Sequence, residues 1–283
     1  MGDPEKFSPG YARSSQNLYF SNKPMKYINL KNPNNSYFLG FAQTDGSLSK
    51  SSRNRGKLQI EVGAKDLHIL KSFKELFSTV YSSIKKRNRN TNFKKNHISF
   101  VFVISGKEFR EEINKLGVPY DKKSEIIAPP TFIFSERDYI RGLIDGDGSI
   151  GIRLGKYPFI SFTVKSEKLK DYLIDIIEKI TGERKKLNRN KRDNIYNIML
   201  NREKAQRFAK CLYYPGCLAL NRKLKDVKEI LKWKRSKSLK KIFRNEWHDW
   251  EDEYILNHTI KESCKYLKRT EMSIKMRKWR LLK

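Results

Sequence analysis

Asp45 and Asp147 are the residues whose type and spacing best fit a chemical role, because each ends one of two similar segments. The first segment, 37–47, reads YFLGFAQTDGS, and the second, 139–149, reads YIRGLIDGDGS. Both predict a short helix ending at the aspartate, where the partial negative charge of the helix end opposes a carboxylate. Two such helices side by side would bring the carboxylates together, which raises their pKa values or recruits a counter-charge. We therefore expect a divalent cation here. The oxygen ligands favour Mg²⁺, and Mn²⁺ is expected to substitute for it.

Small residues four positions apart predict how the two helices meet. In each segment they share one helix face, so the helices can cross with their backbones close together. These residues are Gly40 and Thr44 in the first segment and Gly142 and Gly146 in the second. Gly40 and Gly142 are assigned to the helix interface. Thr44 and Gly146, which precede the aspartates, are assigned to the metal site. The glycines that follow the aspartates, Gly46 and Gly148, are predicted to take the left-handed cap conformation.

The two segments belong to a longer internal repeat. The aspartates are 102 positions apart (147 − 45), and the same offset places LQIEVGAKDL, 58–67, on ISFTVKSEKL, 160–169, without a gap. A period of this size indicates a duplicated domain. Farther along, an offset of 100 (223 − 123) relates Lys123 to Lys223. A basic residue near a reacting phosphate can orient water or stabilise charge, so both lysines are candidate catalytic residues, with simple phosphate contacts as the alternative.

The charge balance predicts a polyanionic partner. The 283 residues include 61 Lys and Arg against 31 Asp and Glu, a formal net charge of +30. Such an excess attracts nucleic acid, although charge alone does not separate DNA from RNA. No stretch of about 18 apolar residues predicts a membrane span, and no secretory signal is visible. The three cysteines have no metal spacing and fit reduced thiols, so we expect an intracellular protein that is not secreted.

The hydrophobic pattern predicts an α+β fold. Residues 27–130 indicate the order helix, strand, strand, helix, strand, strand, helix, and 131–232 repeat it, which gives two pseudo-symmetric αββαββα repeats. Within this order we predict a strand over Ser47–Arg53 and a helix over Asp66–Ser82. Basic loops are predicted at equivalent places in the two halves, over 85–95 and 184–192.

The polar outer faces of the strands and the basic loops supply the candidate DNA contacts. Two such faces over a duplex would form a DNA-binding saddle, because a two-stranded ribbon can enter the major groove; an ordinary solvated sheet face is the alternative. The candidates are Lys50, Arg53, Arg55, Lys57, Gln59, Glu61, Arg87, Arg89, Arg153, Lys156, Ser161, Thr163, Arg189 and Arg192.

The residues after about Trp233 change character: a basic linker leads to residues 247–283, which predict a small all-α domain of three short helices. A capping box of Thr259 and Glu262 predicts the start of the second helix. The third, over Glu271–Leu282, carries Lys275, Arg277, Lys278 and Arg280 on its polar face. This arrangement resembles a Myb-like helix-turn-helix, in which the third helix lies in the major groove. A bundle that only contacts protein is the alternative.

The repeated motif resembles that of the LAGLIDADG homing endonucleases, over 140–148 and, more loosely, over 38–46. The resemblance implies binding to a long duplex site and cutting of both strands across the minor groove, which leaves short 3′ overhangs. Asp45 and Asp147 would be the metal ligands, one for each strand. Asp145 stands where the first copy has Gln43, so we assign it a helix-end or interface role rather than a metal-binding one.

The resemblance also implies a freestanding or intron-encoded monomer, since two unlike halves can read an asymmetric target. It further suggests that Glu61 and its counterpart Thr163 organise water near the cleavage site. Two alternatives stay open: a non-cleaving DNA-binding regulator on the same fold, and an intron maturase that binds structured RNA. The expected divisions are a tail at 1–26, repeats at 27–130 and 131–232, a basic linker at 233–246 and a helix-turn-helix domain at 247–283.

Overall fold

The computed structural model describes residues 25–50, 55–90, 95–236 and 247–282. Three parts of the sequence predictions lie outside these ranges: residues 1–24 of the predicted tail, Arg53, and residues 237–246 of the predicted linker. The chain divides into two compact units, the first ending at Lys234 and the second beginning at Arg235. Within the described ranges, no helix combines the length and apolar character needed to cross a membrane.

The first repeat is built as the sequence predicts, from three helices and four strands. Asn32 caps its first helix by accepting a hydrogen bond from the Asn34 amide at 2.9 Å, and Pro33 takes the first helical position. A short 3₁₀ turn over Ala64–Asp66 precedes the second helix. The strands pair antiparallel in the order β1-β2-β4-β3. The elements are α1 Pro33–Thr44, β1 Gly46–Leu48, β2 Leu58–Gly63, α2 Leu67–Leu76, β3 Ser82–Arg89, β4 His97–Ile104 and α3 Lys107–Lys115.

The second repeat follows the same order with one strand fewer. Its three strands pair antiparallel in the order β5-β6-β7, and the segment equivalent to β3 is a loop. The duplicated α+β fold is confirmed. The elements are α4 Glu136–Asp147, β5 Ser149–Arg153, β6 Tyr157–Val164, α5 Glu167–Thr181, β7 Tyr196–Asn201, α6 Glu203–Leu212 and α7 Asn221–Lys232.

Three local predictions for the first repeat are wrong. Helix α2 ends at Leu76 rather than Ser82, and residues 85–89 of the predicted basic loop belong to strand β3. All eight residues of β3 pair with β4, so backbone hydrogen bonding to a buried neighbour overrides a sequence in which Ile84 is the only apolar residue. Strand β1 ends at Leu48, short of the predicted Arg53.

Aromatic side chains hold α1 against the rest of its repeat. The Phe38 ring lies with its centroid 5.0 Å from that of Phe73 and 4.5 Å from that of Phe77, in edge-to-face contact. All three side chains are buried. Burying a phenylalanine contributes about 1.5–3 kcal/mol, so this cluster fixes the position of α1 and of the aspartate at its end.

The C-terminal unit is a three-helix bundle of α8 Asp249–Asn257, α9 Ile260–Leu267 and α10 Glu271–Leu281. The predicted capping box is present, because the Thr259 amide donates to Glu262 at 2.9 Å and the Glu262 amide donates to the Thr259 hydroxyl at 3.3 Å. Ile255 and Ile274 form the buried centre. This core is small, so the ion pairs described below carry part of its stability.

Candidate active site at the paired helix ends

Helices α1 and α4 cross at two glycines. A methyl group added at Gly40 would overlap the Tyr139 carbonyl oxygen, and one added at Gly142 would overlap the Tyr37 carbonyl oxygen. One turn farther on, a methyl at Gly146 would overlap the Thr44 hydroxyl. The small residues therefore lie where the sequence places them, and the two helix ends are side by side.

The glycines after the aspartates act differently from the prediction. Gly148 has a φ of −88° and extended backbone, and Gly46 is likewise outside the left-handed region. A methyl group at Gly148 would lie 2.8 Å from the Ile144 carbonyl oxygen, and one at Gly46 would overlap the Ala42 carbonyl oxygen. These glycines are needed because the chain turns into a strand directly against the last helical turn, not because of a left-handed cap.

A lysine completes the C-terminal end of each motif helix. Lys123 Nζ donates to the Thr44 carbonyl at 2.5 Å, to the Gly46 carbonyl, and at 3.3 Å to the Ala42 carbonyl. The carbonyl oxygens of a helix end carry partial negative charge, so a cation stabilises them. Burial lowers the pKa of the Lys123 ammonium to about 8, against the opposing attraction of Asp45 and Asp147.

Lys223 repeats this arrangement in the second half. Its Nζ donates at 2.8 Å to the carbonyls of Asp145 and Gly148 and also to the Ile144 carbonyl, and the side chain is 2% exposed. Burial likewise lowers its pKa to about 8. Lys223 lies on α7, a helix that the sequence pattern did not predict, whereas Lys123 lies in a loop. The two ammonium groups are therefore equivalent in position although the backbones that present them differ.

The side chains of Asp45 and Asp147 are exposed at the adjacent helix ends, where the charge of Asp147 acts on Asp45. Loss of surrounding water, and then repulsion by Asp147, raise the pKa of Asp45 to about 6. Lys123, Lys223 and Arg222 oppose this shift. Burial is thus the main cause of the shift, and the neighbouring carboxylate adds to it.

This donor set fits a hard divalent cation. The available ligands are two carboxylates and backbone oxygens, and a cation would relieve the repulsion by Asp147 that, together with the larger effect of burial, raises the pKa of Asp45. In the part of the chain that the structure describes, no three His, Cys, Asp or Glu side chains cluster as a metal site. Mg²⁺ is commonly held by one or two carboxylates together with water and substrate phosphate oxygens, so a two-carboxylate site suits it.

A buried polar layer lies beneath the carboxylates. The Tyr37 hydroxyl donates to Asp145 across the helix crossing at 2.7 Å, and Asp145 also accepts from the Tyr213 hydroxyl and the Leu220 amide, each at 2.7 Å. Burial raises the pKa of Asp145. Asp145 thus lies at the helix interface, as the sequence comparison with Gln43 suggested, and its side chain is directed away from solvent.

The first repeat has a neutral version of the same contact. The Tyr139 hydroxyl donates to Gln43 Oε1 at 2.5 Å, while Gln43 Nε2 donates to the carbonyls of Gly117 at 2.7 Å and Ala128 at 3.0 Å. Sequence reasoning did not assign a role to Tyr37 or Tyr139. Their separation of 102 (139 − 37) was the available signal, because it equals the offset of the two aspartates.

On the first sheet, the predicted DNA contacts share the outward face. Glu61 accepts from Arg87 Nη1 at 2.7 Å and from the Ser99 hydroxyl at 2.6 Å, and it pairs with Arg89 at 3.1 Å. Gln59 is on the same face, while Arg55 and Lys57 precede β2. Lys50 Nζ lies 4.7 Å over the Tyr120 ring.

On the second sheet, the predicted cations are less available. Arg189 donates to Glu167 at 2.8 Å, to the Asn194 carbonyl at 2.7 Å and to the Lys165 carbonyl at 3.1 Å, so it anchors its own loop. Arg192 pairs with the adjacent Asp193 at 2.7 Å. The remaining candidates lie on the outward strand faces or in the β5–β6 turn, namely Arg153, Lys156, Ser161 and Thr163.

The basic residues of α10 divide into two groups. Arg277 pairs with Asp252, and Lys278 Nζ donates to the His258 carbonyl at 3.0 Å, so both face the bundle. Lys275 pairs with Glu271 at 2.6 Å on the exposed side, and Arg280 is also exposed. The exposed side also carries Met272, Met276 and Trp279. The face predicted to be polar is therefore partly apolar, and three of its four cations bind groups within the unit.

The chain is similar in sequence to one protein family and in structure to several solved proteins. A family model described as LAGLIDADG-like domain matches residues 32–117 and 135–212. No curated protein matches the chain. Among solved structures, the homing endonuclease I-WcaI bound to its DNA recognition sequence is 14% identical, with a TM-score of 0.52 over 71% of this chain and 88% of that one.

Two further solved structures are similar at lower scores. The meganuclease I-SmaMI bound to uncleaveable DNA is 14% identical, with a TM-score of 0.44 over 71% of this chain and 89% of that one. The N-terminal LAGLIDADG domain of WhiA is 14% identical, with a TM-score of 0.43 over 72% of this chain and 90% of that one. At 14% identity, the likeness to I-WcaI shows the fold alone.

Proposed function

Because the chain belongs to the LAGLIDADG-like domain family, we propose that it is a site-specific endonuclease that hydrolyses both strands of duplex DNA at a long, asymmetric site. The observation that carries this proposal is the pair of exposed carboxylates, Asp45 and Asp147, one at the end of each crossing helix. A purely structural role in the core would not require both side chains to be exposed. One carboxylate for each repeat also matches one cut for each strand.

In the proposed mechanism, Asp45 and Asp147 hold the divalent cation, Mg²⁺ or Mn²⁺, with help from oxygens near Thr44 and Gly146. The cation would activate water and neutralise charge on the phosphate. Lys123 and Lys223 fix the two helix ends and so position the carboxylates. Each lysine is bound to three carbonyl oxygens, which favours a positioning and electrostatic role over proton abstraction.

The C-terminal unit would add affinity as a Myb-like helix-turn-helix that uses α10. Arg280 and Lys275, which pairs with Glu271, are its exposed cations, while Arg277 and Lys278 keep the helix in place. Phosphate contacts from such a unit strengthen binding without reading sequence. We also propose an intracellular, intron-encoded or freestanding monomer with the domain divisions given above.

A cleavage assay tests the proposal. Purified full-length protein is incubated with a randomised duplex library and Mg²⁺, in parallel with Asp45→Asn and Asp147→Asn, and the ends of cut molecules are sequenced. We expect cut ends that share one long site and that are lost in both variants. Salt-sensitive duplex binding without cutting in Mg²⁺ or Mn²⁺ would contradict the endonuclease and leave the regulator. Preferential competition by structured intron RNA would instead identify the maturase.

A further inference from the structure

The two outward sheet faces differ in chemistry, although the sequence offset relates them. On the first sheet, β3 adds Arg87 and Arg89 beside Glu61, and the two arginine side chains are 43% and 52% exposed. The second sheet has no strand at this place, and Arg189 of the equivalent loop is bound to its own backbone and to Glu167. One face is therefore cationic where the other is not.

Glu61 positions the two arginines rather than reading DNA itself. Its carboxylate already accepts from Arg87, Arg89 and the Ser99 hydroxyl at 2.6–3.1 Å, and its side chain is only 26% exposed. A guanidinium has five donors, so each arginine keeps most of its hydrogen-bonding capacity for a partner. Thr163, the counterpart of Glu61, faces no such pair on the second sheet.

The second face presents neutral groups in a row. Asn197, Met199 and Asn201 alternate along β7 and are all exposed, opposite Thr163, Ser161 and Phe159 of β6. Charged side chains appear only toward the ends of these strands, where Lys165 pairs with Glu125 at 2.7 Å and Arg153 precedes the hairpin turn. The centre of this face consists of amides, hydroxyls and apolar groups.

Each chemistry matches a different base pair in the major groove. Arginine donates bidentately to guanine O6 and N7, asparagine pairs bidentately with adenine N6 and N7, and apolar side chains contact the thymine methyl. We propose that the first sheet reads a half-site containing guanine through Arg87 and Arg89, held by Glu61, and that the second reads an A·T-rich half-site through Asn197, Met199 and Asn201. The inference rests on the proposed function, because it assumes that duplex DNA occupies these faces.

The test separates binding from cutting. Full-length protein selects from a randomised duplex library in EDTA, and the bound pool is sequenced and aligned. We expect one asymmetric motif with guanine positions on one side and A·T positions on the other. Arg87→Ala is expected to reduce the guanine preference roughly tenfold and to leave the A·T side unchanged. Asn197→Ala with Asn201→Ala is expected to do the reverse.

Lys86→Ala is the matched control, since Lys86 is exposed on the same strand but turns to the opposite sheet face. It removes the same charge and is expected to leave base preference unchanged. Glu61→Gln tests the positioning role: it is expected to weaken the guanine preference while binding to unselected duplex stays equal or becomes tighter. All these side chains are at least partly exposed, and thermal melting checks that each variant is folded.

The outcomes distinguish this inference from the endonuclease proposal. A bound pool without compositional asymmetry, or Arg87→Ala weakening all sequences equally as Lys86→Ala does, would overturn the inference even if the protein cuts DNA. Failure to retain any duplex would overturn it as well. An asymmetric pool whose members are not cut after Mg²⁺ is added would support the inference and contradict the nuclease.

Discussion

The Tyr37 hydroxyl donates to Asp145 at 2.7 Å across the helix crossing, and this contact joins the two repeats beneath the candidate active site. Its counterpart, Tyr139 to Gln43, has the same geometry with a neutral acceptor. The duplication has therefore kept the donor in both halves and changed the acceptor. The charged acceptor in turn holds Tyr213 and the Leu220 amide, so it organises the chain on the far side of α4 as well.

Replacing this acceptor is expected to be costly for the fold. Asp145→Ala would leave two buried hydroxyls and one amide without a partner, and each such group costs about 1–3 kcal/mol. We expect the free energy of unfolding to fall by more than about 3 kcal/mol, measured by denaturant unfolding. Tyr37→Phe removes one hydrogen bond and should cost about 1 kcal/mol. Equal losses in the two variants would contradict the central role of Asp145.

The helix crossing predicts a sharp difference between glycines. Gly40→Ala would force the backbones of α1 and α4 apart, because the added methyl overlaps the Tyr139 carbonyl. We expect a loss of at least about 3 kcal/mol, at the severe end for overpacking. Gly106→Ala is the control, since nothing lies within 4 Å of its added methyl and its φ is −54°. A Gly40→Ala variant as stable as Gly106→Ala would show that the helices are not in contact there.

The lysines at the helix ends are expected to matter for stability as well as activity. Lys223→Met removes a buried cation bound to three carbonyls, and hydrogen bonds to charged groups contribute about 1.5–3 kcal/mol each. We expect a loss of at least about 2 kcal/mol in thermal or denaturant unfolding. Lys225→Met changes an exposed lysine two positions away on the same helix and should be neutral. Equal losses of stability in Lys223→Met and Lys225→Met would contradict the role of Lys223 as a cap of the helix end.

Divalent cations are expected to raise the melting temperature of the free protein. At a concentration about 100 times the dissociation constant, a bound ligand contributes about 2.7 kcal/mol, which EDTA should reverse. Asp45→Asn and Asp147→Asn should each reduce this stabilisation, because each removes one of two carboxylate ligands. Asp171→Asn, at an exposed position on α5, should retain it. Unchanged stabilisation in both site variants would place the cation elsewhere.

Acid is expected to weaken the C-terminal unit. Hydrogen bonds from Arg269, at 2.8 Å, lower the pKa of Glu251 below its unfolded value of about 4.3. The contact stabilises the unit only while the carboxylate is ionised, so its contribution is complete above the unfolded pKa and is lost as the pH falls through the lowered one. Glu251→Gln should flatten this dependence.

Tryptophan fluorescence offers the readout for that experiment. The tryptophans of this unit are Trp247, Trp250 and Trp279. The change in fluorescence on heating is recorded for the full-length protein from pH 6 to pH 3. The same dependence in the wild type and in Glu251→Gln would show that another group controls the unit.

The order of elements and the helix pairing could be predicted from sequence because they depend on local patterns. Small residues at a spacing of four placed α1 against α4, and the offset of 102 gave the second repeat. The long-range contacts could not be predicted in this way. Lys123 reaches carbonyls 77 to 81 positions away, and Arg189 binds Glu167 at a separation of 22. Residues 85–89 of strand β3 were predicted as loop because the pairing with β4, not the composition, makes them a strand.

The neutral acceptor at Gln43 has a consequence for building a symmetric variant of this protein. Gln43 Nε2 is bound by carbonyls of its own repeat, at Gly117 and Ala128, and its remaining oxygen needs only a tyrosine from the opposite helix. Tyr37 already supplies an equivalent donor. A tandem of two first repeats would thus keep every partner of this layer without burying a carboxylate. The first repeat is accordingly the better starting material for an engineered enzyme aimed at a palindromic sequence.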